Sequence, residues 1–77
     1  MADPVPDLRS VGLQHMKILQ QLAARARAAA QDAASKAPVD SSELDLHQIR
    51  RQSAAASEAI DRCCYWIAQA YKVEVPK

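Results

Sequence analysis

The segment SKAPVDSS, residues 35–42, limits what this chain can fold into more than any other feature. Pro38 pushes Ala37 out of helical backbone geometry. Asp40, Ser41 and Ser42 then offer the side-chain oxygens that cap a helix N-terminus, and Asp40 with Glu43 has the spacing of a capping box. On both sides of this break the chain is rich in alanine, and Gly12 is its one glycine. Such a composition favours helix, because alanine loses least on entering one. The spacing predicts a helix over about 8–35, a loop over about 36–41 and a second helix over about 42–72. Residues 1–7, MADPVPD, read as a flexible leader, and residues 73–77 as an irregular tail. Two long helices joined by a short loop make an antiparallel hairpin, so the expected class is all-α.

Apolar residues recur at helical spacing in both halves. In the first they are Leu8, Val11, Ile18, Leu19 and Leu22, with His15 inside the stripe, followed by Ala26, Ala29 and Ala33. In the second they are Ile49, Ala56, Ile60, Cys63, Ile67 and then Ala70 or Tyr71. These two stripes are expected to face each other. Leu13 and Met16 then fall off the first stripe, and Trp66 falls at the edge of the second. Large apolar groups outside the core call for cover, which makes Leu13, Met16 and Trp66 candidates for an interface between copies. Self-association suits a chain of 77 residues, since so short a chain buries a limited core alone. The hairpin is accordingly expected to pack into a homo-oligomeric helical bundle.

Several function classes are disfavoured. The formal charge of +1 argues against a protein that coats nucleic acid, which needs a basic excess. No apolar run approaches the length of a membrane span. Cys63 and Cys64 are adjacent, point in different directions on a helix and suit reduced thiols; no metal-ligand spacing is present. Ser53 and Ser57 lack a base–acid pair, and there is no glycine-rich phosphate loop. No catalytic residue, metal or cofactor is expected, and the reading is of a protein that is not an enzyme.

What a bare hairpin does not need is the chemistry facing away from the core. On the second helix Arg51, Glu58, Arg62 and Tyr65 share that side, flanked by Arg50 and Asp61. A solvated polar face is the plain reading. A ligand site is the sharper one, since guanidinium forks bind phosphates and aromatic rings stack on bases.

The stretch RQSAAASEAIDRCCYWIAQAY resembles the last helix of phage helical-hairpin proteins that sequester the cyclic oligonucleotide messengers of bacterial CBASS and Thoeris immunity. Arg51 falls at the family's arginine, Ala56 at its small position, Ile60 at its leucine, Asp61 at its acid, Cys63 at a second small position and Trp66 at its aromatic. Glu58 stands where the family has a hydroxyl residue. The basic residue of the first helix corresponds to one of Lys17, Arg25 and Arg27, and His15 is the first helix's one flat ring. The resemblance implies a non-catalytic anti-defence sponge in the cytoplasm of an infected bacterium, assembled as a compact homo-oligomer such as a hexamer. It implies a cyclic oligonucleotide held between protomers by Arg51, Arg50, Tyr65, Lys17, Arg25 and His15. The competing reading is a hairpin that binds or inhibits a host protein.

Overall fold

The computed structural model describes residues 7–77. The leader expected over residues 1–7 thus lies outside the described residues except for Asp7. Among the described residues the chain is two helices and no strand: α1, Leu8–Ser35, and α2, Glu43–Tyr71, packed together as a hairpin. Each helix starts on a side-chain cap. Asp7 accepts from the Arg9 amide at 3.1 Å, and Ser42 accepts from the Asp45 amide at 3.1 Å. The cap of α2 is therefore Ser42, and Glu43 is its first helical residue. This corrects the expected Asp40–Glu43 box, because Asp40 lies in the turn before the helix. At the other end Lys72 takes the left-handed conformation, φ 56° and ψ 47°. The Val73 amide then bonds back to the Ala68 carbonyl at 3.0 Å, which closes the helix in the manner of a Schellman turn. That turn redirects the tail onto α1, where Gln20 Nε2 donates to the Pro76 carbonyl at 2.8 Å. The tail has no regular structure, yet it is anchored.

The expected hairpin forms, but both helices are rotated from their expected orientation. Met16 is fully buried, and Cys64 and Ala68 join it in the core. Leu13, Leu19, Ile60, Ile67 and Val73 pack around them. Leu8, Ile18 and Leu22, expected to be core, are exposed at 65%, 46% and 48%. Cys63, likewise expected inside, is exposed, and its neighbour Cys64 is buried. The reason lies in two interleaved series on α1, each at 3-4 spacing. One holds the larger side chains: Leu8, Val11, His15, Ile18, Leu22. The other holds Gly12, Met16, Ala23, Ala30 and Ala34, of which all but the half-buried Ala30 are buried. Small residues let a second helix come close, and dense packing along the full seam outweighs the larger area of a stripe that would hold the helices apart. The helices are close at Gly12, where an added Cβ would lie 2.7 Å from Tyr71 Cγ. Burial of Met16 alone contributes about 1.5–3 kcal/mol.

Candidate functional site

Toward the loop the seam changes character. Its positions there are Arg27, Ala30, Ser53 and Ser57, where apolar residues fill the open end. Ser57 is the one buried polar residue among those described, and Arg27 Nη1 donates to its hydroxyl across the seam. An open groove of about 400 Å³ lies between Arg27, Gln31 and Ser35 of α1 and Arg50, Ser53 and Ala54 of α2. Two guanidinium groups from different helices thus line one concavity, and no carboxylate lines it. Among the described residues the single ion pair is Lys36 with Asp32, so neither Arg27 nor Arg50 is neutralised by an acid. Arginine presents a planar fork of donors that matches phosphate and carboxylate oxygens. Ser35, Ser53 and Gln31 add hydroxyl and amide groups along the walls. The groove can hold an anion by direct hydrogen bonds. It has no nucleophile–base pair.

A second concavity, of about 590 Å³, lies at the open end among Arg9, Leu13, Lys72, Val73 and Glu74. It is larger, but Glu74 offsets one of its two cations and the redirected tail forms a wall. For an anion the smaller groove is the better built.

The structure places the expected site residues in separate regions. Arg50 is in the groove. Arg51, one residue on, is turned by about 100° to the outward side of α2. Tyr65 is about 22 Å along α2 from Arg50, at 1.5 Å per residue, and cannot stack on a base held in the same groove. Its ring packs edge-to-face on Trp66, with centroids 5.1 Å apart, and both rings are largely exposed. Lys17 and Arg25 are exposed on sides of α1 that do not line the groove. His15 is exposed too, and its Nδ1 lies 2.8 Å from the Val11 carbonyl of its own helix. Of the three basic candidates of the first helix, only Arg27 reaches across to α2. Of the three expected interface residues, Trp66 is exposed, Leu13 is half-buried against the core and Met16 is wholly enclosed by its own chain. Met16 therefore has no surface to offer another copy, because the rotation of α1 turned it inward.

The buried thiol of Cys64 is pushed above its ordinary pKa, first by burial and then by Cys63 and Asp61 beside it. A raised pKa keeps it a neutral thiol, with Sγ 3.8 Å from the Met16 carbonyl, and marks a packing group rather than a nucleophile. Among the described residues no group of three or more His, Cys, Asp or Glu could hold a metal ion, and no helix is long and apolar enough to cross a membrane. Comparisons with family models, with curated proteins and with solved structures return no match.

Proposed function

We propose that this chain is a non-catalytic binding protein that captures a phosphate-bearing ligand in the groove between Arg27 and Arg50. The observation that carries this reading is the pair of guanidinium groups, contributed by two helices to one groove, with no acid to neutralise them. Cyclic oligonucleotides are the ligand class that the resemblance of residues 51–70 implies, and capture without cleavage is the activity. The site narrows the one drawn from that resemblance: of Lys17, Arg25 and Arg27 it takes Arg27, and of Arg50 and Arg51 it takes Arg50. Charge-assisted hydrogen bonds of this kind each contribute about 1.5–3 kcal/mol. Loss of either arginine should weaken binding by roughly ten- to a hundredfold.

The test is calorimetric titration with a panel of cyclic di- and trinucleotides, alongside mass spectrometry of ligand released on heat denaturation. Intact ligand, weaker binding with rising salt, and loss on Arg27→Ala and Arg50→Ala support the reading. No heat with any member of the panel overturns it. Retained affinity in both variants overturns the groove as its site.

A second reading has its own support. Leu8, Ile18, Leu22, Leu44 and Trp66 are large apolar side chains left exposed, which is the mark of an interaction module. A host protein that co-purifies with the chain and is lost on Trp66→Ala would favour it.

A further inference from the structure

Folding does not account for the side chain of Ser57. The other buried residues of the seam are Gly12, Met16, Ala23, Ala34, Cys64 and Ala68, none with a hydroxyl. Ser57 is only 8% exposed and sits in a run of alanines, with Ala54, Ala55 and Ala56 before it and Ala59 after. Alanine at this position would lack one oxygen, would be the better helix former and would bring no polar group into the seam. A buried hydroxyl destabilises unless it is hydrogen-bonded. The group that satisfies this one is Nη1 of Arg27, 30 residues away on the opposite helix.

Arg27 does not need the bond for its own sake. It is an exposed residue of α1, and water can satisfy every donor of an exposed guanidinium. What the bond decides is where the guanidinium lies. Ser57 and Arg50 are seven residues apart on α2, which is about two turns and about 10 Å along the same side of the helix. Held at Ser57, the Arg27 guanidinium stands at the end of the groove away from the loop, and Arg50 stands nearer the loop. Gln31 and Ser35 continue the α1 wall between them, one and two turns on from Arg27. The α2 wall is Arg50, Ser53 and Ala54, so Ser57 is not part of it. Its hydroxyl therefore acts on the groove only through Arg27. One N–H of the guanidinium is engaged with Ser57, which leaves the others for an anion.

We infer that Ser57 is a positioning residue, whose hydroxyl holds the Arg27 guanidinium at the groove before an anion arrives. The inference rests on the reading of that groove as an anion site. An untethered arginine loses rotamer freedom when it closes on a phosphate, and that ordering weakens binding. Arg27 is ordered in advance by a bond within the protein, so its contacts with an anion carry less of this cost. Ser57 adds no charge to the groove. It acts on the geometry of a charge that Arg27 supplies.

Two measurements on the full chain test this role. The first needs no ligand. Nitrogen-15 relaxation of the arginine side chains reads how firmly each guanidinium is held. Arg27 should be ordered and Arg25 mobile; Ser57→Ala should bring Arg27 to the mobility of Arg25, with helical circular dichroism retained. An Arg27 as mobile as Arg25 in the parent protein overturns the proposal. The second is a titration with inorganic pyrophosphate at low salt, followed by the amide signals of Gln31, Ser53 and Ala54. Ser57→Ala should weaken binding by about two- to tenfold. In an Arg27→Ala background the same substitution should change nothing, because the group it positions is gone. Equal weakening in both backgrounds makes Ser57 a packing residue and overturns the proposal. Pyrophosphate that binds the parent and Ser57→Ala alike overturns the positioning role and leaves the anion groove standing. Pyrophosphate that does not bind the parent overturns the groove as an anion site, and the role of Ser57 with it.

Discussion

Replacing Gly12 by alanine should destabilise this protein although it improves the helix. Alanine is about 1 kcal/mol better than glycine in a helix interior, and Gly12 lies inside α1. The added Cβ, however, would lie 2.7 Å from Tyr71 Cγ, 2.8 Å from Tyr71 Cβ and 3.0 Å from Tyr71 Cδ2. Non-bonded carbons are best placed about 3.5–4.0 Å apart. The crowded atoms are the root of the tyrosine side chain, so ring rotation cannot relieve them and the helices must separate. Overpacking of this kind costs about 1–3 kcal/mol. The net expectation is a loss of about 1 kcal/mol, read as a fall of about 4–8 °C in Tm for a chain of this size. A double-mutant cycle isolates the cause. In a Tyr71→Gly background all three contacts are gone, and Gly12→Ala should stabilise by about 1 kcal/mol through helix propensity. Urea unfolding followed by far-UV circular dichroism, at one fixed protein concentration, measures both arms. If Gly12→Ala raises stability equally in both backgrounds, the close approach of the helices at this point is wrong.

Two further changes probe the core. Met16→Ala removes the most buried side chain and should cost about 2–5 kcal/mol, whereas Leu22→Ala in dilute, monomeric protein should change the unfolding free energy by less than about 0.5 kcal/mol. Equal losses from the two would contradict the rotation of α1. Burial raises the Cys64 pKa in the folded chain, so its contribution to stability is complete below the unfolded thiol value, about 8.5, and is lost as pH rises through the folded value. Stability measured across the alkaline range should therefore fall less steeply in Cys64→Ser than in the parent protein.

The helices and their loop were legible because Pro38 and the alanine-rich flanks act locally. The rotation of the helices was not, because each carries two series at 3-4 spacing. Hydrophobicity favoured Ile18 and Leu22, while close packing chose Gly12, Met16 and Ala23. The preference for Cys63 over Cys64 failed in the same way, by one residue and so by about 100°. Arg50 could be singled out as charge beyond what folding needs. Its partner Arg27 could not be separated from Lys17 and Arg25, since that choice depends on which side of α1 meets α2. The tail gave no sign of docking. Its path depends on a left-handed turn at Lys72, where no glycine marks the spot.

Cys63 and Cys64 provide the most direct test of that arrangement, because one residue separates the exposed side of α2 from the core. Each would be labelled alone, in Cys64→Ser and Cys63→Ser variants, with a thiol reagent under native conditions. The predicted result is rapid labelling of Cys63, which is exposed, and slow labelling of Cys64, which is buried. Labelling of Cys64 as fast as Cys63 in dilute, folded protein would contradict the account.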